Sequence, residues 1–588
     1  MKRLLVYLKD YKKESILAPL FKMLEASFEL FVPLVVADMI DTGISHKDGG
    51  YILRMGALLL LLAIIGLVCS ITAQYFAAKA ATGFAAKMKH ALFLHIQKLG
   101  YTEMDTQGTA TLITRMTSDS NQVQNGVNLV LRLFLRSPFI VLGAMVMAFT
   151  IDIQAALIFV VTIPLLSIVV FGIMIASIPL YKKVQGRLDA VLGITRENLT
   201  GVRVIRAFHQ EEEETKRFEE SNQTLTKVQM FVGRISALMN PLTFVIVNGA
   251  IMALIWTGAW KVDSGVLTQG QVVALVNYMS QILVELVKLA SLIINITKAL
   301  ACAKRIEGVF EMHASLTEPE KAVDGWQKKE GNIVDFNHVT LQYKNAGAPS
   351  LTDIDFHVKR GETIGVIGGT GSGKSSLVNL IPRFYDVTEG SVCVNGTDVK
   401  NFSLNELRKR IGVVPQKAVL FAGSIRDNLL WGKEDATDAE IKKALQISQA
   451  DEFVAGKEEG LDTFITQGGK NLSGGQRQRL TIARAVIRKP DILILDDSAS
   501  ALDFATDAKL RKAIREMENR PAVFIVSQRA ASIQYADQII VLDDGMIAGI
   551  GKHEELLKTC SVYQEIYYSQ FRKSKQSETE IMHGEDVG

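Results

Sequence analysis

The sequence has few cysteines and almost no net charge, and both shortages limit what the protein can be. Its four cysteines are spread over 588 residues without a CxxC pair or a metal-ligand spacing: Cys69, Cys302, Cys393 and Cys560. We therefore expect buried free thiols rather than a disulfide framework or a metal site. The net charge of +3 gives no reason to expect a nucleic-acid partner.

Long apolar runs, in contrast, are abundant in the first half of the chain. Hydrophobic residues make up 48% of the sequence and the mean hydropathy is +0.19, which favours a membrane protein. A chain of this length also needs two or more domains. The basic start, residues 1–13, leads into an apolar stretch too long for a cleaved signal peptide.

The first 320 residues predict an all-α membrane domain with about six transmembrane helices, each near the ~20 residues that a bilayer requires. Runs such as 58–65 and 158–173 are apolar on every face, unlike a soluble amphipathic helix. Lysines and arginines lie mainly in the two long connections, which places these connections in the cytoplasm. The predicted spans are residues 15–42, 53–78, 128–150, 154–181, 236–262 and 268–298.

Four charged residues in the predicted spans form two pairs at helical spacing. Glu25 and Glu29 are four residues apart in the first span, as are Arg132 and Arg136 near the start of the third. Ionisable residues at membrane depth usually pair with each other or serve a transport pathway. An interhelical ion-pair cluster is the favoured interpretation, and a cation-attracting translocation site is the alternative.

The second half of the chain has the pattern of a soluble α/β domain. From about residue 332, short β-type runs alternate with helical ones. The predicted organisation is a membrane domain (1–320), a polar linker (321–334), an α/β domain (335–575) and a polar tail (576–588). The tail is expected to be disordered because it has no apolar periodicity.

A phosphate-binding loop (P-loop) follows the apolar strand 363–367 and precedes a helix-like run. Its glycines let backbone N–H groups close around phosphate oxygens at a helix start. Lys374 is expected to reach the β- and γ-phosphates of ATP, and Ser375 to bind Mg²⁺ together with Asp496, which ends a second apolar strand. The predicted loop residues are Gly368, Gly369, Thr370, Gly371, Ser372, Gly373, Lys374, Ser375 and Ser376.

Further motifs make the chain resemble the ATP-binding cassette (ABC) transporters. Residues 472–476 read Leu-Ser-Gly-Gly-Gln, the signature of that family. The resemblance implies that the signature contacts the γ-phosphate of ATP held by the opposite cassette. A hydroxyl and open N–H groups at a helix start suit that contact. The residues concerned are Ser473, Gly474, Gly475 and Gln476.

Other positions take family roles by the same resemblance. Gln416 matches the glutamine that senses Mg²⁺, and Asp503 ends the match to the D-loop. Tyr343 matches the aromatic residue that stacks on adenine, with an ordinary strand tyrosine as the alternative. In the membrane half, residues 197–208 resemble the cytoplasmic coupling segment of type IV (type I) exporters, which docks on a cassette, by resemblance the partner's.

Two positions depart from the family pattern. Asp497 stands where the family normally has a catalytic Glu, and Gln528 where it normally has the switch His. The carboxylate of Asp stops roughly 1.5 Å short of that of Glu, and Gln cannot supply the charge or basicity of an imidazole. We expect a site that binds MgATP and cleaves it poorly, with a sluggish but working enzyme as the alternative.

The resemblance predicts a half-transporter: the degenerate-site subunit of a bacterial heterodimeric, multidrug-resistance-like exporter, with an N-terminal polytopic membrane domain and a C-terminal P-loop ATPase domain. Its signature would complete the hydrolytic site of a second, non-identical half-transporter. The expected substrates are amphipathic drugs, lipids or peptides, and the expected location is the plasma membrane with the ATPase domain in the cytoplasm. A homodimeric exporter with a slow ATPase and an ATP-gated channel or regulatory subunit are the alternatives.

Overall fold

A computed structural model describes residues 3–319 and 331–571, apart from the side chains of residues 499 and 500. The chain forms two compact units. The first contains residues 3–98 and 109–312, and the second contains 99–108, 313–319 and 331–571. The predicted tail and most of the predicted linker lie outside the described residues. The first strand begins at Asn332, inside the range predicted as linker, and the other domain boundaries stay predictions.

The described part of the first unit consists of helices and short turns. A 3₁₀ helix, Leu4–Tyr11, precedes them, and π-helical turns occur at Met39–Ile44, Arg115–Asp119 and Val130–Phe134. The α-helices in chain order, of which α3 belongs to the second unit, are α1 Lys12–Asp38, α2 Gly49–Lys98, α3 Tyr101–Gln107, α4 Thr109–Thr114, α5 Ser120–Leu129, α6 Arg136–Ile151, α7 Ile153–Thr200, α8 Val202–Ala207, α9 Glu211–Ala237, α10 Met239–Asp263 and α11 Gln269–Phe310.

Five helical segments of the described chain are long and apolar enough to cross a bilayer. The predicted first span, α1, has 27 residues and reaches about 40 Å at 1.5 Å per residue. Every stretch of α1 long enough to cross contains the charged Lys22, Glu25 and Glu29, which sets it apart from the others. The five apolar segments are Gly49–Lys98, Thr109–Ile151, Ile153–Thr200, Glu211–Asp263 and Gln269–Phe310.

Several of these helices are much longer than a membrane is thick. The 50 residues of α2 extend about 75 Å at 1.5 Å per residue, more than twice the ~30 Å hydrocarbon core. The predicted long connections are therefore helical continuations of the spans. The fold class is confirmed in both halves: helical spans are followed by an α/β domain.

The described part of the second unit contains three β-sheets. The strands of a four-stranded antiparallel sheet are ordered β2-β1-β4-β5, those of a six-stranded sheet β12-β11-β3-β10-β9-β6, and β7 pairs with β8. In the six-stranded sheet only β12 is antiparallel to its neighbour. The strands are β1 Asn332–Leu341, β2 Leu351–Lys359, β3 Thr363–Gly368, β4 Glu389–Val394, β5 Thr397–Asp398, β6 Ile411–Val414, β7 Gly423–Ser424, β8 Phe464–Ile465, β9 Ile492–Asp496, β10 Ala522–Val526, β11 Gln538–Asp543 and β12 Met546–Gly551.

Helices cover these sheets and enclose the core of the unit. Strands β3, β9 and β10 are buried along their whole length, as parallel strands with both faces covered are. Short 3₁₀ turns lie at Val399–Asn401, Gly460–Asp462, Gln467–Gly469 and Ser498–Ala501. The helices are α12 Lys374–Leu380, α13 Leu404–Lys409, α14 Ile425–Leu430, α15 Asp438–Ile447, α16 Asp451–Ala455, α17 Gly474–Val486, α18 Phe504–Arg515, α19 Ala530–Ile533, α20 His553–Thr559 and α21 Ser561–Gln570.

The cysteines are free thiols, as their spacing predicts, and three of the four are buried as expected. All four are free thiols; Cys69, Cys302 and Cys560 are buried, and Cys393 is half-buried. Burial raises the pKa of the Cys393 thiol, so this group stays protonated at neutral pH and has little nucleophilic character.

Candidate functional site

The P-loop connects β3 to α12 and wraps around a buried lysine. Lys374 Nζ donates hydrogen bonds to the carbonyl oxygens of Gly368 at 3.0 Å and Gly369 at 2.5 Å. It also lies 3.3 Å from Ser372 Oγ. Burial lowers the pKa of Lys374, while the nearby carboxylates of Asp497 and Asp496 raise it. A polyphosphate bound at this loop would supply the negative charge that a buried ammonium group needs.

Two of the P-loop glycines are required by the path of the backbone. A Cβ atom on Gly368 would lie 2.1 Å from the carbonyl oxygen of Leu542 in the neighbouring strand. Gly373 has φ +93°, and a Cβ there would lie 2.7 Å from the carbonyl oxygen of Ser350. Only glycine fits both positions without movement of the backbone, so the tight loop depends on these two residues.

An oxygen-rich corner lies beside the loop at the carboxyl end of β9. Ser375 Oγ donates to Asp496 Oδ1 at 3.1 Å, and Gln416 lines the same cleft. Burial raises the pKa of Asp496, the charge of Asp497 raises it further, and the hydrogen bond from Ser375 opposes them. Hydroxyl, carboxylate and amide oxygens are the donor set that Mg²⁺ prefers, so these residues fit the ion.

Asp497 follows directly from this corner. Its backbone N–H donates to the carbonyl oxygen of Val526 at 3.0 Å, and its φ of +47° is left-handed. Among non-glycine residues, Asp and Asn tolerate that conformation best. Strands β9 and β10 run parallel, with Asp496 opposite Val526. Asp497 and the residues that follow β10 therefore lie at the same carboxyl end of the sheet.

Gln528 lies at that end of the sheet, and a hydrogen bond to its backbone carbonyl group holds it there. Its side chain is exposed and lines the cleft, while its carbonyl oxygen accepts from Gln570 Nε2 at 2.7 Å. Gln570 Oε1 in turn accepts from the backbone N–H of Ala530 at 2.9 Å. Gln570 could not be predicted from the sequence, because it belongs to no motif and reaches the site only through the packing of α21.

These groups surround one cleft of about 260 Å³. Most of its lining was predicted from the sequence, whereas Ser350, Val526 and Ser527 were not. Gly368, Gly369 and Ser372 lie in the loop without lining the cleft. The predicted residues that line it are Thr370, Gly371, Gly373, Lys374, Ser375, Ser376, Gln416, Asp496, Asp497 and Gln528.

Tyr343 lies next to the first turn of the P-loop helix. Its hydroxyl donates to Ser376 Oγ at 2.9 Å, and burial raises its pKa. Its ring meets that of Tyr385 edge-on, with 5.0 Å between the ring centroids. The Tyr385 hydroxyl donates to Asp105 Oδ2 on α3 at 2.6 Å, so the predicted adenine tyrosine is connected to a helix that the sequence analysis did not single out.

The signature and Asp503 lie at other helix starts and do not line the cleft. Ser473 caps α17: its Oγ accepts from the Gln476 N–H at 3.3 Å, and Gln476 Oε1 accepts from the Ser473 N–H at 3.0 Å. A Cβ on Gly474 would meet nothing within 4 Å, whereas one on Gly475 would lie 3.2 Å from the Ala501 oxygen. Asp503 caps α18, and hydrogen bonds from Thr506 lower its pKa.

In the first unit, Arg136 forms the centre of a charge cluster. Its Nη2 lies 2.6 Å from Glu29 Oε2 on α1, and its Nη1 lies 2.7 Å from Glu285 Oε1 on α11. The Glu29–Arg136 pair joins α1 to α6, in agreement with the favoured interpretation of an interhelical ion-pair cluster. Glu25 instead pairs with Lys22 of its own helix at 2.6 Å. Arg132 has no ion-pair partner among the described residues, and its Nε is buried without a hydrogen bond.

Glu285 is a member of this cluster that the sequence analysis missed. Besides Arg136 it accepts from Ser137 Oγ at 2.8 Å and from Lys288 Nζ at 2.9 Å. The available signal was an isolated acid inside the sixth predicted span. A cavity of about 530 Å³ borders Glu29, Glu285 and Lys288. Since the two acids and two bases here balance, the geometry favours the ion-pair interpretation over a cation-attracting site.

Comparisons with known proteins match both halves of the chain. The family model of the ABC transporter transmembrane region matches residues 15–286, and that of the ABC transporter matches residues 351–500. The uncharacterized ABC transporter ATP-binding protein YfiB of Bacillus subtilis (strain 168) is 34% identical over 97% of this chain and 99% of its own length. The putative multidrug export ATP-binding/permease protein YgaD of the same organism is 32% identical over 96% and 98%.

Two further comparisons match a curated relative from Yersinia pestis and a solved structure. The ATP-dependent lipid A-core flippase of Yersinia pestis bv. Antiqua (strain Antiqua) is 28% identical over 97% of each chain. The structure of a bacterial Atm1-family ABC exporter with ATP bound superposes with a TM-score of 0.79 at 21% identity. It covers 95% of this chain and 99% of the other, which supports the fold along almost the whole length.

Proposed function

Because the chain belongs to the ABC transporters, as a fused membrane-plus-ATPase half-transporter of the exporter type, we propose that it is the ATP-holding partner in an unequal pair of half-transporters. Exporters of this type bind ATP and couple its hydrolysis to export across a membrane that the chain crosses several times. The proposal is that this chain's own site binds MgATP as a clamp and hydrolyses it slowly, while its signature completes a faster site on a non-identical partner.

The observation that carries the proposal is the pairing of an intact binding site with two altered catalytic positions. Lys374, Ser375 and Asp496 are arranged for phosphate and Mg²⁺. Asp497 and Gln528 line the same cleft, at the positions that decide hydrolysis by family resemblance. One departure from the family's catalytic residues could be a tolerated substitution. Two departures in the same cleft favour a site specialised for binding ATP without rapid hydrolysis.

The chemistry of the two side chains supports slow hydrolysis. Water must be held in line with the γ-phosphate and polarised by a base. The Asp497 carboxylate falls roughly 1.5 Å short of where a Glu would place it, and an error of about 1 Å can reduce a rate on the order of 10²-fold. Gln528 can donate a hydrogen bond to phosphate but is always neutral.

The position of the signature supports a second chain. Ser473 and Gly474 are exposed and do not line this chain's own cleft. Space is open around Gly474, so a γ-phosphate can approach the start of α17. An ATP molecule that meets the signature would therefore be one held by another cassette, as the family resemblance implies.

Exposed apolar residues at the predicted coupling segment also support the presence of a partner chain. Leu199 is 74% and Phe208 is 71% exposed, on either side of α8. On the second unit, the rings of Phe421 and Trp431 stack with their centroids 4.3 Å apart, and Trp431 is 65% exposed. Removing these apolar side chains from water would favour association, and we propose that each belongs to an interface with the partner chain.

The proposed substrates are amphipathic drugs, lipids or peptides, because the similar proteins include one named for multidrug export and one for a lipid A-core flippase. The proposed location is a bacterial plasma membrane with the ATPase domain in the cytoplasm. Mg²⁺ is the proposed companion of ATP, held by Ser375, Asp496 and Gln416, where it would neutralise charge on the phosphates.

The test is to purify the chain alone and together with candidate partner half-transporters, and to measure MgATP binding and hydrolysis in both forms. We expect MgATP to bind to the chain alone with little hydrolysis, and robust hydrolysis only with a partner that carries Glu and His at the corresponding positions. Export by the chain alone, coupled to its own hydrolysis even at a low rate, would establish the homodimeric alternative. Ion conductance without substrate-stimulated hydrolysis would establish the channel alternative.

A further inference from the structure

The segment that leaves the last membrane helix is bonded on two sides within the second unit. We call residues 313–319, which follow α11 and precede the α/β domain, the connector. The Ser315 N–H and Oγ donate to the Glu103 carboxylate at 3.2 and 3.4 Å. The Thr317 carbonyl oxygen accepts from Arg383 Nη2 at 3.1 Å. Two charged side chains therefore hold one short segment.

Arg383 is built into the end of the P-loop helix. Its backbone N–H donates to the Leu380 oxygen at 3.0 Å, closing the turn after α12. The side chain is 3% exposed, pairs with Asp386 at 2.7 Å, and donates to the Lys400 oxygen at 3.3 Å. Its φ is +49°, which a non-glycine residue keeps only where its surroundings hold it. The guanidinium group thus has a defined position relative to the P-loop.

Glu103 bonds the connector from α3, as Arg383 does from the end of the P-loop helix. It is 6% exposed, and one carboxylate accepts from the Gly100 N–H at 3.0 Å as well as from Ser315. It therefore caps α3 and holds the connector at the same time. A Cβ on Gly100 would lie 3.6 Å from both Leu316 and Ser315, so the connector packs directly against the start of α3.

The loop that carries Arg383 also contacts α3 itself. The rings of Phe384 and Tyr101 lie 4.6 Å apart, and the Tyr385 hydroxyl donates to Asp105 at 2.6 Å. The P-loop helix, α3 and the connector are thus bonded pairwise. Because α3 lies between α2 and α4 in the chain and the connector follows α11, this junction joins the P-loop to two covalent routes into the membrane half.

We propose that Arg383 and Glu103 are positioning residues that fasten the connector to the P-loop helix and to α3, so that ATP-dependent movement reaches the membrane helices through α11. The proposal rests on ATP-driven export. Neither residue lines the cleft proposed to hold the phosphates. Substitution of Arg383 or Glu103 should therefore leave ATP binding intact and weaken the response of the membrane helices.

Two substitutions test this with little change of side-chain volume. Arg383→Lys keeps the positive charge but cannot bond Asp386, Lys400 and Thr317 together. Glu103→Gln replaces one acceptor oxygen by an NH₂ group. The controls are Arg520→Lys, at an exposed arginine that is also left-handed with φ +42°, and Glu318→Gln, at an exposed carboxylate of the connector. Hydrogen–deuterium exchange of the purified transporter, with and without MgATP, reports on the P-loop and the membrane helices together.

We expect the wild type and both controls to show protection of the P-loop by MgATP and a changed exchange rate in the membrane helices. In Arg383→Lys and Glu103→Gln, P-loop protection should remain while the membrane response falls about fivefold or more, the low end of usual coupling between two sites. Variants that keep the full membrane response would overturn the proposal. Loss of P-loop protection as well would also overturn it, since the residues would then only support the ATP site.

The wild-type transporter tests separately whether MgATP changes the membrane helices at all. If MgATP protects its P-loop but leaves exchange in the membrane helices unchanged, ATP-driven switching itself is wrong, and the role of the connector falls with it. A membrane response in the wild type that persists in both variants instead leaves ATP-driven export intact and removes only the role of Arg383 and Glu103.

Discussion

At the residue scale, Asp497 combines a short carboxylate with a left-handed backbone. The φ of +47° is tolerated better by Asp than by Glu, and the N–H bond to Val526 holds the backbone there. A Glu at this position must keep the same backbone to bring its carboxylate closer to the attacking water. Replacing Asp497 by Glu therefore tests whether the length of this side chain alone limits the rate of ATP hydrolysis.

We predict that Asp497→Glu together with Gln528→His raises hydrolysis at this site by up to about 10²-fold, the usual effect of correcting a misplacement near 1 Å. The measurement is the ATPase rate of the assembled transporter whose partner site has been inactivated. Asp544→Glu is the matched control, because Asp544 is exposed and also left-handed at φ +44°. No increase in the double variant would mean that another feature disables the site.

We predict that the buried Asp496 makes MgATP binding sensitive to pH. Burial raises its pKa above that of an ordinary carboxyl group, and Mg²⁺ binds only the deprotonated form. Affinity for MgATP should therefore be constant above this pKa and fall as the pH is lowered through it. Titrations of ATP at several pH values, with Mg²⁺ and with EDTA, measure the effect. Asp496→Asn should lose both the preference for Mg²⁺ and this pH dependence; an unchanged pH profile in that variant would contradict the assignment.

At the scale of elements, the ion pairs of Arg136 hold α1, α6 and α11 together. Arg136→Met leaves the buried Glu285 with Lys288 as its remaining ion-pair partner, and breaking a buried pair from one side usually costs about 3–5 kcal/mol. We predict a marked fall in thermal stability, followed by labelling of the buried Cys69 and Cys302 thiols on unfolding. Arg136→Met combined with Glu285→Leu should recover part of the loss, because it removes both charges.

Glu25 and Glu29 provide the controls for this cluster. Glu25→Gln tests a pair within one helix: it leaves Lys22, whose side chain is 8% exposed, without its ion-pair partner, so it should also lower stability but remove no ion pair between helices. Glu29→Gln should have a smaller effect than Arg136→Met, because the Glu29 side chain is 42% exposed and solvent weakens the pair. If Glu29→Gln instead abolished export of a cationic dye at unchanged stability, the cation-attracting site would be the better interpretation.

At the scale of the whole molecule, the two halves of each ATP site belong to different chains in the proposed assembly. This predicts that a change in the signature of this chain impairs hydrolysis more than a change in its own P-loop. Gly474→Glu adds a carboxylate where a γ-phosphate would approach, without a clash inside the chain. Lys374→Ala disables only the slow site.

We expect Gly474→Glu to abolish most ATPase activity of the assembled transporter, and Lys374→Ala to leave most of it. Ala439→Glu, which adds the same charge to the first turn of α15 at an exposed position, is the control for Gly474→Glu. Equal losses from both cassette variants would point to two equivalent sites and hence to the homodimeric alternative.

The sequence by itself determined the class of fold and most of the ATP site. Membrane spans, the P-loop from Gly368 to Ser375, the acid Asp496 and the signature are each encoded in a short contiguous run. Hydrophobic periodicity and motif spacing are local properties, and a local pattern is sufficient to predict them. Asp497 and Gln528 were identified by the family resemblance, at positions fixed by neighbouring local patterns: Asp497 directly follows β9, and Gln528 is the second residue after β10.

Only the tertiary structure decided which distant side chains meet. Arg136 pairs with Glu285, 149 residues away, Gln570 supports the backbone at Gln528, and α3 joins the second unit although it lies between two membrane helices in sequence. Such partners depend on how helices and strands pack, and no local pattern carries that information. The junction of Arg383, Glu103 and the connector is of this kind, since three separate segments form it and none has a motif.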